Sequence, residues 1–409
     1  MKEKAKWTFM VYLAGDNNLS TAGDKDLSEM RTVGSTADVN VVAEFDNAGD
    51  RGTNRYHVQR DGVDEPVVAL GETDSGSPKV LLDFVAWAAE NYPAERYALV
   101  LWNHGGGWEP SEMDRIARTV GARDYSVREA SERSATPLGK IFFRTTLQTI
   151  FSLPSPADRA ICSDDGSGHS LDTIELGKVL AQAMDQLGQP LDLLGMYACL
   201  MSNMEVAYKA RPYVRYIVAS EESEPNDGWP YDAVLRKLVA NPGLPTADLA
   251  AHIVSAYIKS YVNRGYSRAV TQTALNLSRV EALAAPLDDL AEALIARMPG
   301  VSGKVWDAQR KSARFWHNTL WDISHFCQEL ERLTARTPVR HVAKAVRAAL
   351  RPGLNNLVIA ESHHGATVER CGGVSIYLPA MTDISRYYAD LAYAKEHRWL
   401  VMLKAYHAS

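Results

Sequence analysis

YALVLWNHGGGW, residues 97–108, decides most of what this chain can be. Tyr97–Trp102 is an unbroken apolar and aromatic run, the pattern of a strand buried on both faces, and NHGGGW breaks it at once. Runs of the same kind recur on either side: WTFMVYLA at 7–14 ahead of GDNN, VNVVAEFD at 39–46, LDLLGMYA at 191–198 ahead of Cys199, and RYIVASEE at 215–222. NRYHVQRD at 54–61 alternates like a more exposed strand, and RAIC at 159–162 reads as a short strand before SDDGSGHS. Helical spacing fills 78–91, with Pro at its start, and 172–187, with Asp172 as the expected N-cap. Buried runs alternating with helical patterns predict an α/β fold, a mostly parallel sheet flanked by helices.

The later sequence changes character. Residues 246–263 and 281–350 carry mainly helical patterns, two β-like runs return at 356–362 (NLVIAES) and 372–380 (GGVSIYLPA), and HRWLVMLKAY closes a last helix. The expected organisation is a core over 1–235, a mainly helical region over 236–355, and strands and a helix over 356–409 that pack back on the core. Residues 109–158 fit no clean element and hold Arg115, Arg118, Arg123, Arg128, Arg133 and Arg144. A long insertion between two strands reads as a mobile or lid segment.

Composition narrows the function classes. The chain has 409 residues, 46% hydrophobic and 23% charged, enough for two or three ordered domains. With 50 acids against 44 bases the net charge is −6, which gives no electrostatic footprint for nucleic acid or an anionic membrane. No apolar run reaches 18 residues, and the start, MKEKAKWTFM, lacks the small-residue cleavage site of a secretory signal. The expectation is a cytoplasmic protein, with secretion left open. Cysteines at 162, 199, 327 and 371 match no CxxC pair or zinc spacing and are too sparse for a disulfide scaffold.

Ligands of open parallel sheets bind outside the carboxyl ends of the strands. The residues there are Asp16-Asn17-Asn18, Asn103-His104 with Gly105-Gly106-Gly107, Cys199, and Glu221-Glu222. A histidine and a cysteine, each closing its own strand, form the pair that thiol catalysis needs, and LMSNMEVAYKA after Cys199 reads as a helix whose dipole would favour a thiolate. Three glycines leave backbone N–H groups open to an oxyanion. Each feature also has a plain structural reading: a buried core thiol, a turn histidine, a tight turn. HGGG also occurs in serine esterases, but no G-x-S-x-G elbow follows. There is no P-loop, and His363-His364 lacks an HExxH frame. Asp164-Asp165 sit in an Asp/Gly/Ser turn that allows Ca²⁺ without requiring it; no cofactor is expected to be required, and no metal ligand is assigned.

MVYLAGDNNL (10–19), YALVLWNHGGGW (97–108), CSDDGSGHSLDTIELGKVL (162–180), DLLGMYACLMSNMEVAY (192–208), ASEESEPNDGWPYD (219–232) and GGVSIYLP (372–379) together resemble the clostripain family of cysteine peptidases, within the caspase–gingipain–legumain superfamily. The resemblance implies a caspase-like sheet, peptide or protein substrates, and cleavage after a basic residue. It places the catalytic histidine on His104, the nucleophile on Cys199, and the oxyanion donors on the N–H groups of Gly105 and Cys199. Some relatives are processed between the two dyad residues. The family's usual Asp-Ala-Cys is Tyr197-Ala198-Cys199 here. A tyrosine supplies no charge to pair with a guanidinium, so either Asp16, Glu221, Glu222 or Asp227 compensates or the specificity has moved. The competing reading is a non-catalytic, peptide-binding caspase-like module.

Overall fold

The computed structural model describes residues 3–16, 19–48, 51–61, 66–103, 108, 173–315, 319–379 and 384–409. The chain divides into two compact units, Met1–Cys199 with Pro225–Leu244, and Leu200–Glu224 with Pro245–Ser409.

In the first unit the apolar runs become strands β1 (Ala5–Gly15), β2 (Val39–Asn47), β3 (Gly52–His57), β4 (Val68–Gly71), β5 (Ala94–Trp102) and β6 (Leu191–Tyr197). They lie in the order β6-β5-β1-β2-β3-β4. β6, β5, β1 and β2 run parallel, and β3 and β4 are added antiparallel. Every residue of β6 is buried and nearly all of β1 is, which is why these segments carry no polar alternation. Helix Pro78–Asn91 matches its predicted span with Pro at its first turn, and it packs against Thr173–Leu187. Helix Ser20–Arg31 packs against Tyr231–Ala240. β3 is shorter than the alternation over 54–61 suggests and ends at His57. β2 also carries a charge: Glu44 stands opposite Arg55 in the ladder and accepts its Nε at 2.6 Å, and that guanidinium lies 5.3 Å from the Trp87 ring centroid. The expected strand at 159–162 and the Asp172 cap lie outside the described residues, as does the 109–158 segment.

The second unit contains β7 (Val214–Ala219), β8 (Val270–Asn276), β9 (Leu320–Asp322), β10 (Val358–His364) and β11 (Ser375–Tyr377). β7, β8 and β10 form antiparallel neighbours, and β11 pairs with β9 in a separate two-stranded sheet. The helical pattern over 246–263 is the single helix Thr246–Asn263. That over 281–350 resolves into helices Glu281–Ile295, Met298–Lys311, Ile323–Leu333 and Val339–Ala349 with β9 between the second and third. The closing pattern becomes Trp399–His407. β9 interrupts the stretch read as helical, and two further findings depart from the sequence reading. β8 was not expected, because Thr271, Gln272 and Thr273 hide a strand buried from Val270 to Leu275 behind polar side chains. β7 stops at Ala219 rather than running to 222, because the hydroxyl of Thr271 captures the N–H groups of Glu221 and Glu222 at 3.0 and 3.1 Å. Among the described residues no helix is long and apolar enough to cross a membrane.

Candidate active site

The parallel order of β1, β5 and β6 brings three carboxyl ends side by side, and Asn103 ties them. Its N–H donates to the Tyr197 carbonyl at 3.1 Å, and its side-chain amide donates to the Ala14 carbonyl at 2.6 Å. Asn103 is 3% exposed, so both bonds form away from solvent and fix the backbone directly ahead of His104. His104 and Gly105 themselves lie outside the described residues.

β6 ends at Tyr197, and Cys199 follows within a turn, 7% exposed. Tyr197 is committed to its own unit. Its hydroxyl donates to the Pro225 carbonyl and accepts the Gly228 N–H at 3.0 Å, and its ring lies 5.7 Å from that of Trp102, its ladder partner on β5. Gly228 has φ +82, and a Cβ there would stand 2.1 Å from Asp26 Oδ1. Asp26 is fully buried and accepts the Trp102 indole N–H at 2.7 Å. Asp26 was missed from the sequence; the available signal was an acid on the buried stripe Gly23, Asp26, Leu27, Met30 of its helix.

The proposed pocket acids fall in both units. Asp16 is half-buried after β1, where partial burial and the Asp16 carboxylate together push Glu72 above the usual carboxylate range. Asp227 is exposed, and its backbone carbonyl accepts Lys25 Nζ at 2.5 Å. In the second unit Glu222 is half-buried and accepts the Ser223 N–H at 2.7 Å. Glu221 is completely buried. Among these acids and Tyr197, the first unit holds Asp16, Tyr197 and Asp227, while Glu221 and Glu222 belong to the second.

The chain beyond Cys199 corrects one expectation. The helix begins at Met204, with Asn203 as N-cap accepting the Val206 N–H at 2.8 Å. Residues 200–203 therefore intervene, and Cys199 does not sit at a helix N-terminus. A strained turn takes the helix's place. Leu200 adopts φ +67, a left-handed conformation costly for a branched side chain. It is fully buried, its N–H points to the Glu222 carbonyl at 3.4 Å, and its carbonyl accepts the Asn203 amide at 2.9 Å. Ser202 donates to the Gly373 carbonyl at 2.6 Å and exchanges backbone bonds with Ser220 and Ser375. His363 and His364 show no shared ligand role: Nδ1 of the first lies 2.6 Å from Glu361 Oε1, and Nε2 of the second 3.1 Å from the Tyr266 carbonyl.

A model of the clostripain family matches residues 11–128 and 152–406. The chain belongs to the clostripain family. It is 27% identical over 274 residues to clostripain of Hathewaya histolytica, a match that takes in 59% of this chain and 44% of that relative's length. Two solved structures align over 97% of this chain and 99% of their own, both at 18% identity. One is a secreted C11 cysteine protease from Bacteroides thetaiotaomicron in complex with an irreversible peptide inhibitor, with TM-score 0.66; the other is an inactive zymogen C11 protease from Parabacteroides distasonis, with TM-score 0.65. The likeness shows the fold: a mixed, mostly parallel sheet flanked by helices, as the sequence predicted.

Proposed function

We propose that this clostripain-family chain is a cysteine endopeptidase that works through a thioacyl-enzyme on Cys199. The observation that carries the reading is the position of Cys199: it lies two residues beyond parallel strand β6, beside the end of β5 from which the chain runs through the buried anchor Asn103 straight to His104. In this mechanism the thiolate of Cys199 attacks the scissile carbonyl, and His104 gives its proton to the leaving amine. His104 then takes a proton from the water that hydrolyses the thioester. The N–H groups of Gly105 and Cys199 serve as oxyanion donors. A family relative held with an irreversible peptide inhibitor supports peptide or protein as the substrate class.

At P1, an arginine preference weaker than in relatives with Asp-Ala-Cys is the reading we favour. Tyr197 offers no anionic charge, and its hydroxyl already serves Pro225 and Gly228. The relative crystallised as an inactive zymogen supports activation by cutting, and the arginine-rich 109–158 segment between the dyad residues is where we place it. Profiling kcat/KM on matched peptides with Arg, Lys, Gln, Tyr or Ala at P1, together with intact mass of wild type and Cys199→Ala, tests both parts. An arginine preference of about two orders of magnitude or more over every neutral residue overturns the specificity reading. A fully active wild type at full mass overturns self-processing.

A further inference from the structure

Three potential metal ligands from distant stretches of sequence meet inside the second unit. One ligand atom each of Glu221, Asp322 and Cys371 lies within 4.8 Å of the other two. Glu221 follows β7, Asp322 closes β9, and Cys371 precedes β11; their exposures are 0%, 0% and 8%. The backbone orients the two carboxyls. Asp322 Oδ1 accepts the His325 N–H at 2.5 Å, Asp322 Oδ2 the Gly372 N–H at 2.6 Å, and Glu221 Oε2 the Gly373 N–H at 3.1 Å. Gly373, at φ +89, makes this approach available, since a Cβ there would stand 2.6 Å from Thr273 Oγ1.

The fourth carboxyl oxygen is different. Glu221 Oε1 is buried and takes no N–H or O–H donor among the described residues, and the Glu221 and Asp322 carboxyls stand within hydrogen-bonding reach of each other; two buried carboxyls in contact need a proton or a cation between them. The charged neighbours acting most strongly on the group are themselves acids. Burial, then repulsion from Asp322 and the hydrogen bond shared with it, then Glu361, push Glu221 well above the carboxylate range. Burial raises Asp322 to about 6 despite its N–H donors, and burial followed by Glu221, Asp322, Glu361 and Glu222 pushes the Cys371 thiol up. Such a cluster can be balanced by protons or by a cation.

We propose that Glu221, Asp322 and Cys371 form a structural site for a divalent metal ion of the zinc class. Two carboxylates and a thiolate suit a borderline cation, whereas Ca²⁺ and Mg²⁺ demand six or more oxygens. A tetrahedral ion with bonds of about 2.0–2.3 Å needs donors about 3.5 Å apart, which the upper bound of 4.8 Å contains. The N–H donors from residues 325, 372 and 373 fill the orienting role that outer partners play around bound metals. Glu361, its Oε1 held by His363, stands beside the three as a further carboxylate. The ion ties the end of β7 to the start of helix Ile323–Leu333 and to β11. The same stretch after β7 receives the Leu200 N–H on the Glu222 carbonyl, so the site would brace the strained turn that follows Cys199. The site stands independently of the peptidase reading.

The test uses full-length Cys199→Ala protein, stripped with a chelator and titrated with Co²⁺ and Zn²⁺. One Co²⁺ per chain is expected, with a near-ultraviolet thiolate-to-cobalt charge-transfer band. The further change Cys371→Ser should abolish that band, and Glu221→Gln should weaken binding by roughly tenfold or more. Zn²⁺ should raise the melting temperature of the stripped protein. Should Cys371→Ser fail to fold, the band and the melting shift of the Cys199→Ala protein still decide. Absence of both a band and a melting shift overturns the site, leaving a proton shared by Glu221 and Asp322. A band of equal strength in folded Cys371→Ser also overturns it.

Discussion

Cys199 and Cys371 are near twins by every measure that ignores direction. Their exposures are 7% and 8%, and both lie in irregular chain within a few residues of a strand. What separates them is the company each keeps. Cys371 lies close to Glu221 and Asp322, and burial, with the negative field of those carboxylates and of Glu361 and Glu222, pushes its thiol up. Cys199 sits in the turn just after a parallel strand, whose neighbour strand leads through Asn103 to His104. Burial and residue type alone do not mark a nucleophile; topology and local charge do.

The largest expected effect tests that contrast directly. Cys199→Ala should lower kcat/KM on peptides by on the order of 10³ or more, while folded Cys327→Ala stays within a few-fold of wild type. His104→Ala should match the loss, and the double variant should be no worse than either, because members of a catalytic unit are not additive. If Cys371→Ser were folded and as inactive as Cys199→Ala, the contrast would collapse. Alkylation sharpens it without a substrate. Iodoacetamide at neutral pH should modify Cys199 at least about a hundredfold faster than Cys327 or Cys371, whose thiols burial pushes up. Peptide mapping against time reads the rates, and equal rates would break the comparison.

These contrasts also show what the sequence could carry. The parallel strands around Cys199 were legible because burial on both faces writes continuous apolar runs, as in LDLLGMYA and YALVLW. β8 was not, because its polar side chains are buried: the Thr271 hydroxyl pairs with Ser220 and the Gln272 amide donates to Glu224. The helix expected at Leu200 starts instead at Met204, since LMSN satisfies its backbone through Ser220, Glu222 and Ser375, all remote in sequence. The trio Glu221, Asp322 and Cys371 escapes any spacing rule for the same reason: its members become neighbours only through the fold. Tyr197 shows the opposite case, where the residue was visible and its partners Pro225 and Gly228 were not.

Glu205 separates burial from like-charge crowding, the two influences combined at Cys371. It is a buried carboxyl of the second unit, its Oε1 taken by the Tyr377 N–H at 3.1 Å and the Tyr388 hydroxyl at 2.9 Å. Burial raises it from 4.5 to about 7, against the pull of those hydrogen bonds. A carboxyl with a raised folded-state pKa binds its proton more tightly in the native protein. Its stabilising contribution is complete below pH 4.5 and is lost as pH rises to about 7. Wild type should therefore lose on the order of 3 kcal/mol relative to Glu205→Gln across that window. Urea unfolding of both proteins at a series of pH values gives the difference; a constant difference would show that burial alone does not shift an acid in this unit.

The smallest effect concerns the residue two places before the nucleophile. Tyr197→Phe keeps the ring against Trp102 and removes only the hydroxyl, leaving the Gly228 N–H and the Pro225 carbonyl without it. Tyr197 is 3% exposed, so water does not easily replace the lost partner, and the cost should be about 1–2 kcal/mol. The segment from Pro225 to Gly228 should loosen, so KM on peptides should rise a few-fold more than kcat falls. Cys199 should still alkylate at its wild-type rate, because the Tyr197 carbonyl that anchors Asn103 belongs to the backbone and survives the change. A slower alkylation in Tyr197→Phe would mean that the phenol itself conditions the thiol. Topology would then no longer suffice to tell Cys199 from Cys371, and the hydroxyl would have to be counted among the groups that make the first of them reactive.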